Sequence, residues 1–452
     1  MSLMLLIFIP LMMAVPVYFL RRYWMVAGLM SIVTTLALMA VCSQAPLNEP
    51  AHILGRELVL DDLNRLLLIF LLGLASLLIL YAWQISQGWE FFPFLLLILG
   101  LLSGAIMIRN FLIAVLLLEI AGLIFVFMIH GERPIVVGTA LGYLAPLVIA
   151  IPCLLPVSWL IDSYALYPDN PLLIRFTVIA LSLGFGILLA GVPFHSWLPA
   201  VAQEAPLAAS ASLICIFNLV SLTLLLGLLD SHLWLTTDSN ALSVISIAGF
   251  LTALVGGALA FAQREPGRLL AYAAIADMGF ILVGLGTGSL AGVTGGLAHA
   301  INRSLSVLLV AISLGTLRRY LSEGSVSTLR EALRRTPGSI VGYIIGGLAL
   351  GGFPLSNGFA TRWLIYRALP SDGPVYLWAL LLAGGGVVLG YVRSLSLMLR
   401  PSPELKAERE PLLVTVMTLS LALLCLLIGL APGLIVDPIL NMVEGMAFIS
   451  GG

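Results

Sequence analysis

The chain is predicted to be all-α and polytopic, a membrane protein of about 14 transmembrane helices. Three observations carry that prediction. Of its 452 residues 61% are hydrophobic and 10% charged, and the mean hydropathy is +1.12, more apolar than a water-exposed surface permits. Apolar runs of about 20 residues, the length that crosses a bilayer as a helix, recur from end to end. The connections between them are mostly short, and no soluble domain interrupts the series.

In order, the runs fall near 3–20, 24–42, 66–84, 91–108, 111–129, 135–162, 172–193, 206–229, 242–262, 268–286, 288–316, 339–366, 374–399 and 411–434. The first is followed by Arg21 and Arg22 and lacks a basic leader and a convincing cleavage site, so it reads as a retained span. The longest connections are 43–65, 163–171, 230–241, 317–338 and 400–410. The charged segment 317–338 reads as a short solvated cytoplasmic helix, with partner docking as its alternative role. Basic residues crowd the loops after odd-numbered spans, among them Arg21, Arg22, Arg133, Arg264, Arg318, Arg334 and Arg409. Loops after even-numbered spans hold Arg56, Arg65, Arg109, Arg175 and Arg367 together with acids such as Asp61, Asp162 and Asp230. The positive-inside rule then places both termini on the outer face of the cell inner membrane. The whole chain, 1–452, is one transmembrane domain: N-terminal helices over 1–90, a first repeat over 91–230, a second over 242–399 and a C-terminal helix over 400–452.

Several function classes are disfavoured. A net charge of −1 gives no sign of nucleic-acid binding. Cys42, Cys153, Cys215 and Cys425 lie far apart in apolar runs without metal-ligand spacing, so they read as packing residues. No ligand set for haem, iron–sulfur or flavin is present, so no cofactor is expected and electrons would have to travel in partner subunits.

Two spans are interrupted. GVPFH at 191–195 and GGFPLSNGF at 351–359 place Pro193 and Pro354 in comparable positions of two halves. A proline removes a backbone donor and strands a carbonyl one turn earlier. Freed polar groups inside a bilayer must face protein or water, so matched breaks predict two polar points near mid-membrane. A pair of kinks that only tunes packing is the alternative.

Ionisable residues at that depth cost roughly 2.5–3.5 kcal/mol each on insertion scales and need a reason. Glu119 sits midway through the fifth span, as a proton-exchanging acid or a buried protonated one. Asp277 sits at the centre of the tenth, as an ion-pair partner of Arg303 or Arg268 or as a relay group. His299 and Arg303 lie one helical turn apart on one face. Arg362 follows the second break. His195 reads either as a proton carrier, since its unperturbed pKa is near 6.5, or as a cap of the broken helix. Arg303 and Arg362 suit electrostatic roles, because a guanidinium keeps its proton where a desolvated lysine can release one.

Five segments in order, Glu119 in its apolar span, PFHSWLP…EAP at 193–206, GRLLAYAAIADMGF at 267–280, HAINRSL at 299–305 and GGFPLSNGFATRW at 351–363, resemble the antiporter-like, proton-translocating membrane subunits of respiratory complex I. The same superfamily takes in Mrp-type cation/proton antiporters, group 4 membrane-bound hydrogenases and inorganic-carbon uptake modules. The resemblance covers about 100–400 and implies two inverted five-helix repeats with helices seven and twelve broken. It further implies that the family's acid on helix five is Glu119. The family's relay lysines fall at Leu188 on helix seven, Asn218 on helix eight and Arg303 in the HAxxK pattern; its lysine or acid after the second break falls at Arg362. Asp277 is a departure, and the single lysine of the chain, Lys406, lies in a loop.

The expected function is therefore that of an antiporter-like, non-catalytic membrane subunit of a redox-driven, complex I-like assembly of NADH-quinone oxidoreductase or hydrogenase type. It would contribute to proton translocation or support it structurally, with most relay lysines lost. Glu119, His195, Asn218, Asp277, His299, Arg303 and Arg362 would line a hydrated axis. The partners would be other membrane subunits, some of them antiporter-like, peripheral redox subunits and the lipid bilayer. A membrane subunit of an inorganic-carbon uptake module and a stand-alone cation/proton antiporter are the alternatives. The chain ends soon after its last span and is expected to lack a long lateral helix.

Overall fold

Inside a bilayer each backbone polar group has to be satisfied within the chain, and a helix does this with local bonds alone. The computed structural model describes residues 2–53, 55–131, 137–168, 170–320, 335–370, 374–398 and 409–450. Over these the chain forms α1 (Ser2–Phe19), α2 (Trp24–Gln44), α3 (Asp62–Gln84), α4 (Phe91–Met107), α5 (Phe111–His130), α6 (Val137–Leu166), α7 (Pro171–Leu188), α8 (Trp197–Glu204) and α9 (Leu207–Ser231). There follow α10 (Ala241–Ala262), α11 (Pro266–Gly286), α12 (Leu290–Tyr320), α13 (Pro337–Leu350), α14 (Asn357–Arg367), α15 (Pro374–Met398), α16 (Leu412–Leu430) and α17 (Gly433–Glu444). Among the described residues, 12 helices are long and apolar enough to cross a membrane alone. The other two predicted spans fall on α4, with 17 residues, and on the broken pair α13 and α14, with 14 and 11.

Helix starts follow their capping residues. The Asp61 carboxylate accepts from Asn64 N at 2.7 Å at the head of α3, and Asn110 accepts from Ile113 N at 3.1 Å at the head of α5. Asn170 does the same for Leu172 N at 3.1 Å, with Pro171 in the first helical position of α7.

Proline alone does not make a break. α1 runs through Pro10 and Pro16, and α6 through Pro146, Pro152 and Pro156. The real interruptions add residues with positive φ: Ala190 (53°) before Pro193, and Gly352 (72°) and Leu355 (72°) on either side of Pro354. Those conformations turn the chain out of the helix, and the backbone re-pairs locally. Phe194 N donates to Gly191 O (2.6 Å), Gly352 N to Ala349 O (3.0 Å) and Phe353 N to Leu348 O (3.0 Å). The turn Phe194–Ser196 then leads into α8.

Two connections differ from expectation. The loop 43–65 contains an antiparallel hairpin, β1 (Ala51–Ile53) with β2 (Arg56–Leu58), in the register Ala51↔Leu58. It is extended by Val59 N→Met107 O (2.8 Å) and Arg109 N→Glu57 O (3.1 Å), which tie it to the α4–α5 connection. Beyond α16, Ala431 and Pro432 end the span, and α17 begins a separate helix. The part of the charged segment 317–338 that lies at 321–334, and the lone Lys406, fall outside the described residues.

The chain divides into two compact units. The first comprises Met1–Ala190, Ser212–Ala241 and Met446–Gly452; the second comprises Gly191–Ala211 and Leu242–Gly445. The first unit holds α1–α7 and most of α9. Near its loop side, Tyr164 stacks on Trp234 (4.0 Å, 10°), and its hydroxyl and that of Thr237 donate to Asp238 at 2.7 and 2.8 Å. Those two hydrogen bonds hold the Asp238 carboxyl below its ordinary range.

The second unit holds α8 and α10–α17. Small residues let α10 and α11 meet backbone to backbone: a Cβ on Gly256 would stand 2.6 Å from Ala276 N. Arg318 of α12 donates to Gln203 O (3.1 Å) and Gln203 Oε1 (3.0 Å), and Gly267 N donates to the same Oε1 (3.1 Å), so one glutamine ties α8 to α11 and α12. Glu410 clamps the start of α13. Its carboxylate accepts from Gly338 N (2.7 Å), Ser339 N (3.3 Å), the Ser339 hydroxyl and the Thr415 hydroxyl (2.9 Å). An anion at a helix N-terminus gains from both the orphan N–H groups and the helix dipole. Glu410→Ala is expected to lower stability by about 1–2 kcal/mol, read as an earlier unfolding midpoint of the purified chain in micelles.

Candidate functional site

The second break is built around one guanidinium. Arg362, on the second turn of α14, is 1% exposed. Its Nη1 donates to Gly351 O (2.8 Å) and its Nη2 to Leu350 O (2.5 Å), the carbonyls that end α13. The same Nη2 bonds Asp277 Oδ1 of α11. Its face lies over the Phe280 ring, with the guanidinium carbon 4.0 Å from the centroid. A cation at a helix C-terminus meets both the unpaired carbonyls and the negative end of the dipole. Arg362 is thus the cap of the half-helix and the counter-ion of Asp277 at once.

His299 completes the cluster from α12. Its Nε2 lies 3.2 Å from Asp277 Oδ1 and its Nδ1 2.9 Å from Thr361 Oγ1. Below it, two asparagines interlock: Asn302 Nδ2 donates to Asn357 O (3.0 Å) and Asn357 Nδ2 to Asn302 O (3.1 Å). Ser306 donates to Asn357 Oδ1 at 3.2 Å. An apolar group including Phe280, Val283, Ile365 and Leu380 packs alongside. The cluster balances charge over fixed partners, and a permanently protonated guanidinium inside it does not exchange protons.

The pairing of Asp277 with Arg303 or Arg268 does not form. Arg362, 85 residues away, takes that place, because it alone stands at both the broken end and the face of α11. Arg268 pairs with Glu265 at 2.9 Å near the surface, and Arg303 donates its Nε to Ala274 O at 3.1 Å. His195 sits in the turn after Pro193, half-buried, its ring 6.2 Å from that of Tyr272. Among the described residues no hydrogen bond joins it to the Asp277 cluster. Asp277, His299 and Arg362 are thus brought together, Arg303 lies one turn from His299 on α12 with its Nε on Ala274 O, and His195 stands apart.

In the first unit, Glu119 is 2% exposed and neither of its carboxyl oxygens has a hydrogen-bond partner among the described residues. One turn on, Gly122 O accepts from the buried Tyr143 hydroxyl of α6 at 3.0 Å. A Cβ on Gly122 would come 2.9 Å from Leu147 and 3.2 Å from Phe217, so that glycine lets α6 and α9 approach α5. α9 carries a π-helical turn over Leu213–Phe217 immediately before Asn218. Such a turn inserts a residue into the helix and often marks a functional point. Asn218 is fully buried with neither amide atom hydrogen-bonded among the described residues, and Leu188 is the buried last residue of α7. Glu119 and Asn218 are polar groups without protein partners in an apolar unit, which is the setting for ordered water or for a neutral carboxyl.

Sequence reasoning missed Tyr143, Asn302, Asn357 and Thr361. The last three lie inside the HAINRSL and GGFPLSNGFATRW segments, where an uncharged amide or hydroxyl does not stand out until its neighbours are known. Among the described residues no group of three His, Cys, Asp or Glu side chains is placed to hold a metal ion.

Comparison with known proteins bears on this arrangement. The family model described as NADH:quinone oxidoreductase/Mrp antiporter, TM, matches residues 139–388, more than half of the chain. The chain belongs to this family. Formate hydrogenlyase subunit 3 of Escherichia coli (strain K12) is 28% identical over 367 residues, covering 72% of this chain and 58% of that protein. NADH-quinone oxidoreductase subunit N of Parafrankia sp. (strain EAN1pec) is 27% identical over 288 residues, covering 61% and 53%. The chain thus spans little more than half the length of these relatives. In fold, a chain of the archaeal membrane-bound sulfane sulfur reductase superposes with a TM-score of 0.83 at 19% identity, covering 100% of this chain and 99% of that one. A chain of the Mrp complex from Dietzia sp. DQ12-45-1b gives 0.86 at 19% identity, covering 99% and 52%. This member of the NADH:quinone oxidoreductase/Mrp antiporter family therefore has the family fold and is a membrane protein.

Removing one member of a buried ion pair strands the other. Arg362→Gln is expected to destabilise the chain by ~3–5 kcal/mol, while Asp277→Asn with Arg362→Gln recovers a large part of that loss. A double-mutant cycle on chemical unfolding of the purified chain measures both. Arg362→Lys is expected to fall with the deletions, because a point charge cannot reach two carbonyls and a carboxylate together.

Proposed function

We propose that the chain is an antiporter-like membrane subunit of a multisubunit, redox-driven complex of the complex I or membrane-bound hydrogenase type. In this reading it lies in the cell inner membrane with both termini outside, in keeping with the distribution of its basic loops. Its partners are further membrane subunits, some of them antiporter-like, and peripheral subunits that carry the electrons. Its helices form two inverted five-helix repeats over 91–230 and 242–399, with the breaks at Pro193 and Pro354 in corresponding places.

The buried, unpartnered carboxyl of Glu119 in a chain of this family carries the reading. A carboxyl without protein partners in an apolar unit is free to take up and release a proton as its surroundings charge and discharge. Asn218 would hold water beside it through its unpartnered amide, and Leu188 stands where the family's relay lysine falls. The Asp277–Arg362–His299 cluster would hold the second break in place, with Arg303 contributing charge and His195 lining the first break. Proton traffic then centres on Glu119, and the second unit supports rather than relays.

Glu119→Gln is expected to cut proton movement per electron severalfold in the reconstituted complex, with electron transfer retained; unchanged pumping would assign the chain a scaffold role. Leu188→Lys alone is expected to give no gain, because Asn218 still interrupts the series of amines. Proton uptake measured on the same vesicles checks both.

A further inference from the structure

We propose that Thr361 is a positioning residue for His299, its hydroxyl turning between the imidazole and the first-turn carbonyls of α14 according to whether that imidazole carries one proton or two. The inference is independent of whether the chain translocates ions.

The hydrogen-bond roles around His299 are nearly fixed. Asp277 Oδ1 is bound by the Arg362 guanidinium and therefore presents acceptor density to its other neighbour. His299 Nε2, 3.2 Å from that oxygen, has to donate, since a ring lone pair would face a carboxylate. With Nε2 protonated, a neutral ring leaves Nδ1 as an acceptor. The Thr361 hydroxyl, 2.9 Å away, is then its donor. A hydroxyl has a single proton to give, so Asn357 O and Gly358 O, each 3.3 Å from Thr361 Oγ1, go without it.

A second proton on His299 reverses this. Nδ1–H now donates, Thr361 Oγ1 accepts, and its own proton swings to Asn357 O or Gly358 O. No atom other than that hydrogen has to move. The carbonyl it reaches belongs to the first turn of the second half-helix, and Asn302 Nδ2 already bonds Asn357 O at 3.0 Å. A hydroxyl bonding back to a carbonyl one turn earlier competes with the helix backbone and bends it. The protonation state of the ring is thus passed to the segment that carries Arg362.

The groups acting on the ring come from every side. The charged groups nearest the ring are Asp277 of α11, whose Oδ1 it touches, Arg362 of α14, bound to that same oxygen, and Arg303 one turn along α12. Tyr343 of α13 is occupied with Ser394 (2.7 Å), Cys425 of α16 lies beside Ser306, and Asp437 and Glu444 of α17 are exposed. Phe280 offers only its ring, 6.2 Å away.

The test is nitrogen NMR of the full chain, labelled at histidine and held in lipid nanodiscs, with His299 assigned by its loss in His299→Gln. The expected neutral form carries its proton on Nε2, with Nδ1 shifted as a hydrogen-bonded acceptor. In Thr361→Val the Nδ1 signal moves to that of an unbonded nitrogen. Uptake of the second proton weakens about tenfold, since a bond to the charged ring is worth more than one to the neutral ring. Thr361→Ser restores both readouts, which a role in packing alone would not do. Should the valine variant fail to fold, Thr361→Ala replaces it. A neutral ring protonated on Nδ1, or a titration that is the same in wild type and Thr361→Val, overturns the proposal. So does a ring that takes up no second proton between about pH 5 and about pH 9. No transport is measured, so a silent complex leaves the outcome unaffected.

Discussion

A carbonyl stranded in a bilayer has to find a donor inside the protein, and at the second break that donor is Arg362. One side chain caps the end of α13, neutralises Asp277 and rests on Phe280. It thereby ties the two halves of the broken helix, α13 and α14, to α11, which lies 85 residues earlier at Asp277. A planar fork is well matched to such a place, since several N–H bonds leave it in fixed directions and its charge persists at any working pH. The small residues of α10 and α11 and the Gln203 tie then hold the same unit from other sides.

The two units treat buried acids in opposite ways. Asp277 has a cation and an imidazole on one oxygen, so its charge is met by fixed partners. Glu119 has no hydrogen-bond partner among the described residues, so no such bond offsets the cost of burying a charge. The first arrangement favours permanence and the second favours change. Both acids were visible in the sequence as charges in apolar runs, and an ion pair at Asp277 was legible too, but not that Arg362 makes it.

Periodicity and length made the helices legible, since about 20 apolar residues have few alternatives in a membrane. Both breaks were legible from glycine and proline together. Proline by itself would have misled, as the uninterrupted α6 shows with three of them. The hairpin at 51–58 was hidden in a loop because three-residue strands carry almost no pattern. The partner of Asp277 was hidden for another reason: contact across 85 residues is set by packing, whereas Arg268 and Arg303 stood nearer in the chain. Thr361 and Asn357 lay inside segments already singled out, but neutral hydroxyls and amides announce themselves only once their neighbours are known.

The π-helical turn at Leu213–Phe217 bears on how positions in this family are matched. An additional residue in one turn rotates everything after it by about 100° about the helix axis. Counting forward from Pro206 and superposing backbones will therefore nominate different side chains, wherever a relative winds this stretch as a plain α-helix. Asn218 is the answer obtained by counting. In such a relative, the group occupying the same point in space lies one place nearer that proline.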